Sequence, residues 1–275
     1  MRSNLWTSVF IVLMLLTLPA MSETNQESER RPILVSLGDV VAAHFADGQD
    51  WTTEFVFVNL SDKQQSSDLY FFDSFGRVQT VQMKGLGSNY VFSFTLPPFG
   101  SLRMETLGGR RPLTQGFAVM DPENLVENRI GATAIYRREL LGLPLREATA
   151  PFGNYFDKKA YVPFDHRFGF SSGVAFVNLS QEHDMTLRVD IYDETGVARL
   201  YTTIHLPPYN HRAFDLVTDY PELIGRAGMA VISIQQTKET TAGFQLVAFR
   251  FSPTGSFTTI TPMLSLQESV ELLSP

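Results

Sequence analysis

The chain has 275 residues, of which 44% are hydrophobic and 19% charged, with a net charge of −7 at pH 7. These values predict a globular protein with room for two domains, and a mildly acidic chain without a basic run is a poor candidate for binding nucleic acid or anionic membranes. Because the chain has no cysteine, disulfides and a lipoprotein anchor are excluded, and cohesion must come from apolar packing.

The first 22 residues predict a secretory signal peptide. Arg2 gives a positive start, residues 9–18 are almost continuously apolar, and Ala20 and Ser22 place small side chains at a cleavage site. The alternative is an uncleaved membrane anchor, although the apolar run is shorter than the roughly 20 residues that a spanning helix needs. Residues 23–32 then read as a disordered leader, and we expect the protein to be secreted or periplasmic.

From residue 33 onward the pattern is that of short β-strands separated by turns. Aromatic and β-branched side chains concentrate or alternate in residues 54–58, 69–72, 90–96, 187–192, 200–206, 229–234 and 244–250. About seven such strands in each half of the chain predict an all-β fold of two antiparallel, immunoglobulin-like β-sandwiches.

An internal repeat divides this region in two. Phe-Val-Asn-Leu-Ser occurs at residues 57–61 and again at 176–180. Further matches follow in the same order, at an offset between 110 and 120 residues, and include two Asp-x-x-Gly turns, two Leu-Pro-Pro stops and two Gly-x-Ala-Val segments. The offset exceeds the roughly 20–50 residues of a solenoid repeat. We therefore predict a duplicated domain, with copies at 33–152 and 153–264 and a C-terminal tail at 265–275.

Together these motifs resemble the tandem β-sandwich module of exported proteins from acidobacteria and related environmental bacteria. The similar elements are His-Phe-Ala-Asp-Gly-x-x-Trp-Thr-Thr at residues 44–53, the Val-Asn strand end, the motifs above, and an aromatic residue followed by Arg at 136–137 and 249–250. The sequence departs from that pattern where Phe170 replaces the Trp of the first copy, and in lacking a Gly-rich tail to the first motif. The resemblance implies an exported immunoglobulin-like pair of undefined function, without catalytic residues to carry over.

Six repeated residues are candidates for shaping the fold. Asn59 and Asn178 each precede Leu-Ser, so each is either an N-glycan acceptor or, as we favour, a side chain that binds backbone where a strand ends. Asp73 with Gly76, and Asp193 with Gly196, predict type I turns in which the carboxylate caps N–H groups and the glycine is left-handed.

Other candidate sites are less specific. Exposed aromatic side chains could bind a sugar, and the candidates are Trp51, Tyr90, Phe99 and Tyr209; for Trp51 we favour packing. Five histidines have no metal-binding spacing, and they are His44, His166, His183, His205 and His211. Asp190, Asp193 and Glu194 lack the spacing of a calcium loop. We therefore expect no cofactor and no metal.

Three functions remain open from the sequence. Because the chain has no nucleophile elbow, P-loop or zinc-protease motif, we expect a non-enzymatic exported protein with a structural, adhesive or protein-interaction role. Its partner would be a protein or a polysaccharide at the cell surface. The alternatives are a carbohydrate-binding module and a periplasmic chaperone-like pair that donates an edge strand.

Export with cleavage after Ser22 is directly testable. N-terminal sequencing of the secreted protein is expected to begin at Glu23, because Ala20 and Ser22 are the small residues that signal peptidase needs. Recovery of the chain from the membrane fraction with its Met1 intact would show that the segment is an anchor instead.

Overall fold

The fold is built almost entirely from antiparallel β-strands. The computed structural model describes residues 40–122, 129–153, 158–180, 182–237 and 243–264. The predicted signal peptide, leader and C-terminal tail lie outside these residues. Within the described ranges, no helix combines the length and the apolarity that crossing a membrane requires.

Ten strands make up the first half of the described chain. They are β1 (Val40–Asp47), β2 (Trp51–Asn59), β3 (Gln65–Asp73), β4 (Val81–Met83), β5 (Gly87–Asn89), β6 (Val91–Leu96), β7 (Ser101–Glu105), β8 (Thr114–Pro122), β9 (Ile130–Arg138) and β10 (Arg146–Pro151).

The second half adds nine strands and a short helix. The strands are β11 (Lys159–Asp165), β12 (Ser171–Asn178), β13 (Met185–Asp193), β14 (Ala198–Leu206), β15 (His211–Asp215), β16 (Ala227–Thr237), β17 (Phe244–Phe251), β18 (Phe257–Ile260) and β19 (Met263–Leu264). The helix α1 (Leu216–Asp219) is capped by Asp215, whose carboxylate accepts from the N–H groups of Val217 and Thr218. Two single 3₁₀ turns cover Arg167–Gly169 and Pro221–Leu223.

Each half contains two four-stranded layers in the same strand order. In the first half the orders are β1-β8-β3-β6 and β10-β9-β2-β7; in the second they are β11-β16-β13-β14, extended by β19, and β18-β17-β12-β15. The prediction of an all-β sandwich fold is confirmed. The duplication stays an inference from the sequence, and below "equivalent" means the same strand and register position in the two halves.

Aromatic side chains fill the space between the layers of the first sandwich. Phe55 of β2 meets Phe71 of β3 with ring centroids 5.4 Å apart, and Phe57 meets Phe94 of β6 at 4.5 Å. In the second sandwich Phe176 lies in an aliphatic core with Val189, Ile191 and Ile232. Successive side chains of a strand point to opposite faces, and in both cores the inward-facing side chains are apolar. The period of two was therefore readable from the sequence.

The two repeated Asp-x-x-Gly turns share a carboxylate cap and a left-handed glycine. Asp73 accepts from the N–H groups of Phe75 at 2.8 Å and Arg77 at 2.9 Å, and Gly76 has φ of 72°. Asp193 accepts in the same way from Thr195 and Val197, and Gly196 has φ of 79°. The pKa of Asp193 is lowered chiefly by the hydrogen bond from the Thr195 hydroxyl.

The repeated asparagines join a strand end to two loops. Asn59 Nδ2 donates to the Lys63 and Pro97 carbonyl oxygens at 2.7 and 2.9 Å, and its Oδ1 accepts from the Ser61 N–H. Asn178 donates to His183 and Pro207 and accepts from the Ser180 N–H. Both side chains are buried. With both Nδ2 protons engaged in backbone hydrogen bonds, this geometry fits the structural interpretation rather than a glycan acceptor.

Replacing either asparagine with alanine is expected to lower the free energy of unfolding by about 1–3 kcal/mol, since buried carbonyl and N–H groups would lose their partners. The measurement is a urea titration of Asn59→Ala and Asn178→Ala. Asn89→Ala is the matched control, because the Asn89 side chain is exposed and accepts from the adjacent Tyr90 N–H. Unfolding midpoints of both variants equal to the parent's would refute the structural role.

Candidate functional site

An edge strand of the first sandwich is buried beneath the second. All eight residues of β1 are buried, although β1 has a sheet neighbour on one side only, apart from a two-bond bridge between Val41 and Gly153. Strands β12, β15 and β17 of the second sandwich pack against it. The sequence pattern did not predict β1. Four of the nine histidine and aromatic candidates lie at this contact between the sandwiches, and they are His44, His211, Trp51 and Tyr209.

Two buried histidines stack at the centre of this contact. His44 of β1 and His211 of β15 have ring centroids 5.2 Å apart, and His44 Nδ1 lies 3.1 Å from His211 Nε2. His211 Nδ1 lies 3.2 Å from Ser74 Oγ, and the His211 N–H donates to the Ser74 carbonyl oxygen. Burial lowers the pKa of His44 to about 4 and holds that of His211 well below its ordinary value. Both rings are therefore neutral at pH 7 and serve as hydrogen-bonding packing groups.

The Ser74–His211–His44 chain has the outline of a catalytic relay but lacks its chemistry. In a serine hydrolase a carboxylate orients the histidine and stabilises its cation. Here a second histidine occupies that place, and it cannot supply the negative charge that would stabilise a His211 cation. The pKa of His211 is lowered first by burial and then by His44. Both histidine rings are buried between the sandwiches, whereas the Ser74 side chain is half-buried.

Tyr209 docks the second sandwich onto the first Asp-x-x-Gly turn. Its ring lies 5.4 Å from that of Phe72 and 6.0 Å from that of Phe117. Its Cβ lies so near Gly76 that a Cβ on Gly76 would come within 2.5 Å of it. Gly76 is therefore required both for its left-handed backbone and for this close approach.

Trp51 packs across the same contact. Its half-buried ring is 4.9 Å from Phe257 of β18, with the Arg138 guanidinium 5.2 Å above it. Nearby, Tyr136 meets Phe249 at 4.8 Å and donates a hydrogen bond to the His44 carbonyl oxygen. Contacts between the sandwiches thus already engage the rings of Trp51 and Tyr209.

The remaining two candidate aromatics are exposed at opposite ends of one strand. Tyr90 precedes β6 and Phe99 follows it, so a strand of six residues separates them, which is about 20 Å. The four aromatic candidates therefore do not line up on one solvent-facing sheet. Phe99 is the more exposed, with 72% of its surface accessible.

An open groove of about 710 Å³ lies on the outer face of the second sandwich, over β11, β13 and β16. Its floor is formed by Phe164, Tyr192, Gly228 and Met229, and the Asp193–Gly196 turn borders it. Charged side chains stand at the rim, where Arg167 pairs with Asp165 and holds the pKa of that carboxyl at about 2, mainly through its side-chain hydrogen bonds. The groove thus combines an apolar floor with charges of both signs.

The other ionisable candidates have structural partners. Asp190 pairs with Arg188, and Asp193 pairs with Arg199 in addition to capping its turn. The His166 side chain is buried beside Phe164. Among the described residues, no group of three or more His, Cys, Asp or Glu side chains is placed to hold a metal ion.

Comparisons with known proteins leave the family open. No model of a known protein family matches the chain, and no curated protein matches it. The resemblance to exported tandem sandwiches therefore stays a prediction.

The buried histidine pair predicts a loss of stability in mild acid. The unfolded chain binds protons with an ordinary His pKa of 6.5, whereas folded His44 resists protonation until about pH 4, so stability is expected to fall as pH drops between these values. Urea midpoints at several pH values measure this slope. His44→Asn is expected to flatten the slope, and His205→Asn, at an exposed position, is the control. An identical slope in all three proteins would contradict this assignment.

Proposed function

We propose that the protein is an exported, non-enzymatic interaction module whose two packed sandwiches present the groove over β11, β13 and β16 to a protein partner. The observation that carries the proposal is the composition of this groove. Tyr161, Tyr192, Met229 and Arg167 line it, and aromatic, Met and Arg side chains are the types enriched in protein–protein interfaces. A single body with a fixed groove suits a structural or adhesive role at the cell envelope.

Two features favour this role over catalysis. Strongly shifted pKa values mark functional sites only when the groups are accessible to a substrate. Here His44 and His211 lie between the sandwiches, and Asp165 and Asp193 are held by Arg167, Arg199 and turn N–H groups. These groups therefore have structural tasks that account for their environments.

The two alternatives from the sequence have weaker support. A carbohydrate-binding module needs a row of accessible aromatics, whereas Trp51 and Tyr209 pack between the sandwiches and Tyr90 and Phe99 are separated by a strand. A strand-donating pair needs a long apolar edge strand. The edge strand β1 is apolar but buried, and the edge strand β14 alternates polar and apolar side chains.

Site-specific photo-crosslinking in the native envelope tests the proposal. A photo-reactive amino acid at position 194, an exposed site beside the groove, is expected to give discrete protein adducts. Position 86 is the control, because Leu86 is exposed at the turn between β4 and β5, on the first sandwich. Mass spectrometry then identifies each adduct.

Two results would overturn the proposal. Adducts to polysaccharide alone, or an equal absence of protein adducts at both positions, would exclude protein binding through the groove. Turnover in a broad hydrolase screen, abolished by a single His or Asp substitution, would show that the protein is an enzyme.

A further inference from the structure

The groove of the second sandwich is equivalent to the surface of the first sandwich that Tyr209 covers. Strand register pairs Phe72 with Phe117 in the first half and Tyr192 with Met229 in the second. The first pair holds the Tyr209 ring, and the second pair lies on the floor of the groove. The same surface is thus covered in one half and open in the other.

The two glycines of the repeated turns show the same difference. A Cβ on Gly76 would meet Tyr209 at 2.5 Å, whereas a Cβ on Gly196 would have no atom within 4 Å. Both turns have the same capping carboxylate and the same left-handed glycine. The difference between them is therefore the aromatic side chain that lies on the first turn.

The equivalent of Tyr209 is Phe99, and its ring is exposed. Both follow Leu-Pro-Pro, both have positive φ (53° for Phe99 and 55° for Tyr209), and each donates its N–H at 3.0 Å to the serine that follows the repeated Asn-Leu. The neighbouring apolar positions differ in the same way. Val58 and Leu60 are 37% and 64% exposed, whereas their equivalents Val177 and Leu179 are 0% and 7% exposed.

We propose that the groove binds a second copy of this chain, whose Phe99 inserts between the Asp193–Gly196 turn and the Tyr192–Met229 floor as Tyr209 does on the first turn. This proposal rests on the proposed interaction function and names its partner. The donor surface is Val58, Leu60 and Phe99 of one molecule; the acceptor is the groove of the next. An interface already present within the chain is thereby continued between chains.

Charged residues limit how far this contact extends. On the outer face of the first sandwich, beyond the Phe99 end, Glu54 pairs with Arg103 and Arg137. The equivalent positions in the second sandwich are Gly173, Ala213 and Phe251, which carry no charge. Ser101 is the equivalent of His211, so the first sandwich has no histidine at this position. The contact between chains is therefore smaller than the contact within the chain, and we expect it to be weaker.

A donor and an acceptor on different sandwiches make the contact heterologous. Each bound molecule still offers one free donor and one free groove, so association continues to higher oligomers unless a ring closes. A contact that used the same patch on both molecules would stop at the dimer. The distribution of oligomers with concentration thus distinguishes the two kinds of contact.

Sedimentation velocity of the purified secreted chain tests the inference. The wild-type protein is expected to form dimers and higher species as concentration rises. Phe99→Asn, which keeps a residue that tolerates positive φ, removes the donor ring; Met229→Arg blocks the acceptor. Each variant is expected to weaken association about tenfold or more, as truncation of a central anchor does.

Mixing the two variants gives the sharpest result. The intact groove of Phe99→Asn and the intact Phe99 of Met229→Arg can form one contact, so the mixture is expected to give a heterodimer and no larger species. Leu141→Ser is the control, since Leu141 is 90% exposed beyond the opposite end of β9 and is expected to leave association unchanged. Circular dichroism melts confirm that each variant is folded.

Three outcomes would overturn the inference. They are a wild-type chain that stays monomeric at all concentrations, association that Phe99→Asn leaves unchanged, or a variant mixture that fails to dimerise. Cross-links from position 194 to a different protein, together with a monomeric wild type, would remove self-association and leave the proposed interaction function standing.

Discussion

The covering of β1 by the second sandwich is the constraint on which the rest of the structure depends. An edge strand exposes unpaired N–H and C=O groups, and proteins cover, charge or shorten such edges. Here the outer side of β1 is covered by another sandwich, and the histidine pair supplies hydrogen bonds inside that contact. The two halves therefore pack into a single unit, although each has a core of its own.

Because of this packing, equivalent surfaces of the two sandwiches differ in their exposure to solvent. The outer face of the first sandwich over β1 and β8 is buried and, apart from His44, largely apolar, with Val41, Phe117 and Val119 almost inaccessible. The equivalent face of the second sandwich meets solvent and carries charged residues at its rim. The sequences of the two halves differ at positions where one half is covered and the other is not, as apolar burial requires.

Period-two alternation in the sequence predicted two strands that are buried on one face only. Residues 187–192 and 200–206 alternate because one side faces the core and the other faces water, and β13 and β14 lie there. Strand β1 was missed because both of its faces are buried, so its residues show no period of two. The histidine contact joins residues 167 positions apart, and no local pattern encodes such a distance.

The turns and asparagines were predictable because their interactions are local. The partners of these side chains lie within a few residues, as for Asp73 with Phe75 and Asn59 with Ser61, so a short motif is enough to predict them. The same motifs occur in both halves. Whether an aromatic side chain is covered depends instead on the packing of distant segments. In the sequence Trp51, Tyr209 and Phe99 were all candidates for exposed aromatics. In the structure Trp51 and Tyr209 pack between the sandwiches, and Phe99 is exposed.

The buried β1 also sets an order of events during biosynthesis. A chain emerges from the ribosome with its N-terminal part first, and domains usually fold in that order. The first sandwich can assemble once residue 153 has emerged, but its β1 edge and the apolar face beside it stay uncovered until β17, some 90 residues later. In that interval the protein carries its greatest aggregation hazard, and a chaperone that shields sheet edges would have its effect there.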